Sequence, residues 1–261
     1  MYKLLKGDCL ELMKNIPDNK IDLTVTSPPY DNLRKYNGSV NDWNFEKFQD
    51  IAKELYRVTS DNGVVVWVVS DSTIKGSETG SSFKQALYFK EIGFDLYDTM
   101  IWRKPNPSVP TEGRYYNAFE YMFVLSKGKP KALNFICDKE NKTYGSSYKS
   151  DTHMNPENRK QNNKSKTVGR YSRRHNVWDI AIGGNKTKHP AVFPESLAND
   201  HIITWSNEGD LVFDPFMGSG TTGKMAILNN RSFIGIELDD NYYEIAKERI
   251  ENLEKDKVIS D

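Results

Sequence analysis

The sequence predicts an α/β fold, a mostly parallel sheet flanked by helices, and three observations carry that prediction. Short apolar runs of strand length alternate with longer amphipathic segments, the pattern of strands joined by helical crossovers. The second observation is a glycine-rich turn, Asp214-Pro215-Phe216-Met217-Gly218-Ser219-Gly220-Thr221-Thr222-Gly223, set between the apolar residues 209–213 and the helical segment 224–228. A strand, a glycine turn and a helix in that order let backbone approach a nucleotide-like ligand. The third is Thr26-Ser27-Pro28-Pro29-Tyr30, directly after the apolar residues 21–25. Two consecutive prolines donate no backbone hydrogen bond and fix their own φ, so the chain leaves its strand there as a rigid loop. That loop carries a hydroxyl, an undonated carbonyl and an aromatic face, a setting for a flat polar ring.

Each element follows from local pattern. A short helix is expected over residues 10–15 and a strand over 21–25. Residues 45–58 place apolar side chains at helical spacing and predict an amphipathic helix, and the valine-rich residues 63–69 predict a buried strand. A helix is expected over 82–92, with strands over 94–102 and 118–125. Beyond an insertion, a helix over 194–205 leads to the strand 210–213, and a strand over 233–236 ends in Glu237. An amphipathic helix over 241–253 closes the pattern. In such sheets ligands gather at the carboxyl ends of the strands, so loops roughly 190 positions apart share one cleft.

Three ligands compete for the glycine turn. Gly218-x-x-x-x-Gly223-Lys224 nearly spells a phosphate-binding loop, but Met225 stands where Ser or Thr would hold magnesium. Gly218-x-Gly220-x-x-Gly223 also fits the dinucleotide pattern, with Glu237 close to the distance for a ribose contact. A dinucleotide enzyme leaves the Ser-Pro-Pro-Tyr loop without a role. A methyl donor with an adenosine moiety uses the same carboxylate logic and needs no pyrophosphate cradle.

Composition narrows the class further. The apolar run at residues 64–69 is strand-length, no membrane span is expected, and a soluble cytoplasmic protein is the expectation. Cys9 and Cys137 are too few and too isolated for a disulfide framework or a zinc site, and neither stands in the context of a catalytic cysteine. No metal is expected. The formal charge balances, 36 basic against 36 acidic residues, but not evenly. Between Lys139 and His175 ten basic side chains face only Glu140, Asp151 and Glu157, interleaved with Tyr144, Tyr148 and Tyr171. Clustered basic charge among aromatics is the footprint of phosphate contact, so Arg159, Lys160, Lys164, Lys166, Arg170, Arg173 and Arg174 are the expected DNA-contacting residues.

Taken together, these motifs resemble those of the circularly permuted β group of S-adenosylmethionine-dependent DNA amino-methyltransferases, type II modification methylases of the cytosine-N4 kind. Ser27-Pro28-Pro29-Tyr30 is similar to the family's catalytic motif and Asp214-Pro215-Phe216-x-Gly218-Ser219-Gly220-Thr221 to its cofactor loop. The order also matches, catalytic motif first and cofactor loop last. The resemblance extends to Lys6-Gly7-Asp8-Cys9-Leu10, Trp102-Arg103-Lys104-Pro105-Asn106, Lys188-His189-Pro190-Ala191-x-Phe193-Pro194 and Tyr243-x-x-x-Ala246-x-x-Arg249-Ile250. It implies a circularly permuted Rossmann-like domain in three stretches: residues 1–129 as the catalytic part, 130–185 as an inserted basic target-recognition region, and 186–261 as the cofactor-binding part.

The resemblance also implies roles. Asp8, Asp214, Phe216, Gly218, Gly220, Thr221 and Glu237 would bind S-adenosylmethionine, with Glu237 on the ribose hydroxyls, Asp214 toward the amino-acid end and Asp8 near the adenine amine. Ser27, Pro28, Pro29 and Tyr30 would form the catalytic loop, Tyr30 stacking on a base flipped out of double-stranded DNA. Serine at the first motif position points to cytosine-N4, with adenine-N6 the main alternative. An RNA methyltransferase and a non-catalytic DNA-binding protein are further alternatives. Such enzymes usually act beside a cognate restriction endonuclease that works separately, and a solitary enzyme stays open.

Overall fold

In a computed structural model, residues 1–29, 43–107, 113–149, 165–182 and 194–260 are described. β1 (Tyr2–Lys6), α1 (Cys9–Met13) and β2 (Ile21–Thr26) open the chain. Then come α2 (Phe45–Val58), β3 (Thr59–Val69), a small hairpin of β4 (Thr73–Ile74) and β5 (Ser77–Glu78), α3 (Ser81–Glu91), β6 (Asp95–Arg103) and β7 (Phe119–Ser126). Short strands follow: β8 (Lys139–Glu140), β9 (Ser147–Lys149), β10 (Ser165–Thr167), β11 (Tyr171–Ser172) and β12 (Val177–Asp179). The chain ends through α4 (Glu195–Trp205), β13 (Leu211–Asp214), α5 (Thr221–Leu228), β14 (Ser232–Glu237) and α6 (Asp240–Ser260).

Eight strands form one sheet in the order β1-β14-β13-β2-β3-β7-β6-β12. The pairings from β1 through β3 are parallel, β7 runs antiparallel to both β3 and β6, and β12 is parallel to β6. The expected mostly parallel sheet is therefore present, with one reversed strand. N-terminal β1 pairs with C-terminal β14, so the two ends of the chain complete the same half of the sheet.

Burial explains the valine-rich run. Val65, Trp67 and Val69 lie in a core cluster with Phe48, Ile51, Leu55 and Phe89, while Val64, Val66 and Val68 are equally buried on the opposite pleat. A strand covered on both faces has no polar side, hence its continuous apolar sequence. β3 begins at Thr59, four residues before the expected start, because Thr59 pairs with Ile21 ahead of a bulge that resumes at Leu23 and Val64. α2 starts where Asn44 accepts a hydrogen bond from the Lys47 N–H at 2.8 Å, and it buries Phe48, Ile51, Ala52, Leu55 and Val58. Full burial of each large side chain is worth about 1.5–3 kcal/mol.

Two compact units emerge, residues Met1–Asn134 with Asn176–Asp261, and Phe135–His175. The second unit is built on two antiparallel pairs, β8 with β11 and β9 with β10. It is shorter than the insertion expected over 130–185. Asn134 donates to the Ser206 carbonyl at 3.0 Å, and Val177–Asp179 add a strand beside β6, so both flanks belong to the first unit. Trp178 anchors that strand by stacking on buried His201, ring centroids 4.5 Å apart. Among the described residues no helix is long and apolar enough to cross a membrane.

Candidate active site

Parallel pairing places the carboxyl ends of β1, β14, β13 and β2 side by side, ending at Lys6, Glu237, Asp214 and Thr26. Asp8, Glu237, Asp214 and Ser27 are thus brought to one edge of the sheet. β6 runs in the same direction as β3, so Trp102–Asn106 lies on that edge too. There Lys104 ion-pairs with Glu120, and the Trp102 indole N–H donates to the Ile180 carbonyl at 2.8 Å.

The two motif loops are joined directly. The Thr26 hydroxyl donates to Asp214 Oδ1 at 2.6 Å, and the Phe216 N–H donates to the same oxygen at 3.1 Å. From α5, the Thr222 hydroxyl reaches the Val25 carbonyl at 3.2 Å. Burial pushes the Asp214 carboxyl up to about 7, against the opposing pull of its Thr26, Thr222 and Phe216 donors. Its side chain therefore ties loop to loop, which leaves the backbone of the glycine turn to face a ligand. Ser27 and Pro29 are half-buried and Pro28 is buried at the end of β2.

The turn itself depends on glycine. Gly218 and Gly220 have φ of +53° and +79°, in the left-handed region where a side chain is strained. Gly220 also caps α5 without a side-chain hydrogen bond, so the cap residue itself leaves the positive N-terminal end of that helix open. Glu237 closes the site on the other side. Its Oε2 accepts from the Gly218 N–H at 2.7 Å and its Oε1 from the Asp239 N–H at 2.8 Å. Burial lifts this carboxyl above the ordinary range, against those two hydrogen bonds. The carboxylate has lone-pair sites beyond these two for a hydroxyl donor.

Other expected residues take more structural positions. Asp8 caps α1 by accepting from the Leu10 N–H at 2.8 Å and pairs with Lys47 at 2.8 Å. Burial pulls its pKa up, but the Lys47 and Leu10 contacts outweigh it and hold the carboxyl below the usual range. Phe216 packs edge-on to Trp43 and Trp67, centroids 5.6 and 6.2 Å away. Tyr30, Arg159, Lys160, Lys164 and residues 188–193 of the His-Pro motif lie outside the described residues.

In the second unit Lys166 is exposed on β10 and Arg173 covers the Phe135 ring at 4.3 Å. Arg170 sits 3.4 Å from Glu140, and Arg174 Nε donates to Asp138 at 2.9 Å. Asp138 lies one residue outside the stretch over which the basic excess was counted, and its pairing lowers the charge Arg174 presents. Sequence reasoning assigned no role to Thr26, Trp43 or Arg249. Thr26 and Arg249 stood inside quoted motifs, whereas nothing local marks Trp43 as a partner of Phe216.

These elements define a class, an α/β methyltransferase fold with a glycine-rich turn and a Ser-Pro-Pro loop on adjacent parallel strands. Comparison with known proteins narrows it. The profile of a DNA methylase family matches residues 21–248. The orphan methyltransferase M.BamHII of Bacillus amyloliquefaciens is 54% identical over 250 residues, covering 92% of each chain. Among solved structures, the PvuII DNA methyltransferase (cytosine-N4-specific) aligns with a TM-score of 0.71 at 22% identity, over 95% of this chain and 86% of that one. A putative DNA modification methylase from Thermus thermophilus, complexed with S-adenosyl-L-methionine, aligns with a TM-score of 0.64 at 26% identity, over 96% and 95%. The chain belongs to this DNA methylase family.

S-adenosylmethionine is its methyl donor. The residues fit that group: a half-buried carboxylate at a strand end suits a ribose diol, and a helix start whose glycine cap makes no side-chain hydrogen bond, beside a glycine turn, suits a carboxylate-bearing chain.

Proposed function

We propose that this DNA methyltransferase modifies the exocyclic N4 amine of cytosine in duplex DNA, with the base flipped out of the helix and the methyl group transferred directly. The observation that carries the reading is the Thr26–Asp214 hydrogen bond, which links the Ser-Pro-Pro loop to the glycine turn. An exocyclic amine delocalises its lone pair into the ring and is a poor nucleophile. The Ser27 hydroxyl and the Pro28 carbonyl accept its two hydrogens, draw the nitrogen toward tetrahedral geometry and aim its lone pair. Pro29 keeps the loop rigid, and Tyr30 stacks on the base. Bound S-adenosylmethionine supplies an electrophilic methyl on a positively charged sulfur. The protein's own part is positioning and exclusion of water, without a covalent enzyme intermediate. Glu237, with the backbone of Gly218 to Thr221, holds the cofactor. The basic second unit contacts DNA phosphates.

Serine at the head of the loop supports cytosine-N4, since the adenine-N6 pattern more often places Asp or Asn there. Relatives named as type II methyltransferases support the modification half of a restriction-modification system, and the one named as an orphan methyltransferase keeps a solitary enzyme as the second reading. Mass spectrometry of nucleosides from duplex DNA methylated by the protein should show N4-methylcytosine, and N6-methyladenine alone would overturn the assignment. Ser27→Ala should lower kcat by about tenfold or more while leaving S-adenosylmethionine affinity unchanged.

A further inference from the structure

Arg249 reaches the glycine turn from α6. Its Nη1 donates to the Ser219 carbonyl at 3.1 Å and to the Thr221 hydroxyl at 3.1 Å, and lies 3.4 Å from the Ser219 hydroxyl. Its other terminal nitrogen pairs with Glu195, the first residue of α4, and Glu195 also takes the Lys224 ammonium of α5 at 2.7 Å. One turn earlier on α6, Ala246 is fully buried against Gly220, where an added Cβ would stand 3.0 Å from the Ala246 Cβ. The groups flanking Gly220 on both sides are thus held by one guanidinium, while Ala246 supports the glycine from below.

We propose that Arg249 is a positioning residue for the cofactor turn, holding Ser219, Gly220 and Thr221 in the shape that binds S-adenosylmethionine. The inference rests on the reading of this turn as the cofactor site. A turn with glycine at positions 218 and 220 has much backbone freedom, and a turn ordered only on binding loses affinity to that ordering. Arg249 removes the freedom beforehand. The planar fork of arginine serves the turn and Glu195 together, whereas a lysine ammonium on a flexible stem holds the pair poorly. Arg249 stands behind the turn and does not act on the transferred methyl, so its effect belongs to cofactor binding.

The test compares wild type, Arg249→Gln and Arg249→Lys by calorimetric titration with S-adenosylmethionine, by steady-state kinetics and by melting of the ligand-free protein. Arg249→Gln should weaken S-adenosylmethionine binding and raise its KM by about tenfold, with kcat within about threefold and the KM for DNA unchanged. Arg249→Lys should fall between the two. Cofactor affinity within twofold of wild type in Arg249→Gln would overturn the proposal, as would a parallel loss of kcat and both KM values tracking a lowered melting temperature. If Arg249→Gln does not fold, Arg249→Lys decides, and wild-type affinity there overturns the proposal. Wild-type protein that binds no S-adenosylmethionine overturns the reading of the turn and the inference with it. Wild-type binding with unaltered variants overturns the inference alone.

Discussion

Asp214 shows how one residue type serves a purpose its motif does not announce. The sequence marks it as the acid ahead of a glycine turn, but its burial and its bond to Thr26, 188 positions away, exist only once β13 and β2 pair. The sign of its pH effect follows from the raised pKa. With a folded value of about 7 against an ordinary 3.8, the folded state holds the proton more tightly. The resulting stabilisation is complete below the ordinary carboxylate pKa and is lost as pH rises through 7. Buried His201 acts oppositely, because burial lowers it to about 3 and its stabilisation is present above 6.5 and lost as pH falls. The two partly cancel, so a difference measurement isolates Asp214. Wild type should lose stability relative to Asp214→Asn between pH 4.5 and 7.5, followed by thermal melting at fixed salt, and parallel curves would contradict the raised pKa. The place of Glu237 beside the glycine turn was more legible than the bond of Asp214, since a strand that pairs next to β13 ends there, and the Gly218 N–H meets its carboxylate. Asp8 was less so, because a cap for α1 satisfies the same local pattern.

At the scale of elements, apolar periodicity carried most of the fold. α2 matches its expected bounds because its stripe and its Asn44 cap are both local features. Phe48 is fully buried between Trp67 and Phe89, at 5.8 and 5.2 Å, so Phe48→Ala should cost about 3–5 kcal/mol in denaturant unfolding. Asn44→Ala removes only the cap and should cost about 1 kcal/mol. A smaller loss for Phe48→Ala than for Asn44→Ala would contradict the packing described. β1 and β12 were not foreseen. β1 has only five residues without clean alternation, and β12 has three, so neither offers enough periods for a pattern. Their strand state is decided by neighbours: β14 supplies the ladder for β1, and β6 together with the Trp178–His201 stack supplies it for β12.

Across the whole molecule, a chain with no net charge distributes its charge unevenly, and the proposed contact with DNA rests on that unevenness. The second unit, shorter than the insertion the sequence suggested, carries Lys166, Arg170 and Arg173 as exposed residues, with Arg170 paired to Glu140 and the less exposed Arg174 to Asp138. Replacing Lys166, Arg170 and Arg173 together by Gln should reduce the dependence of DNA affinity on log salt by about 0.9 for each phosphate no longer neutralised, with S-adenosylmethionine affinity unchanged. An unchanged salt slope would remove this face from DNA contact. Sequence by itself determined the α/β class, the two motif loops and the family, because those rest on short-range patterns: hydrophobic period, proline and glycine backbone limits, and side-chain chemistry at fixed spacing. Only the tertiary structure decided that Thr26 and Asp214 bond, that Arg249 and Ala246 meet residues 219–221 of the glycine turn, and that Val177–Asp179 extend the sheet. Those contacts join positions far apart in the chain, and their geometry is set when parallel strands bring their carboxyl ends to one edge.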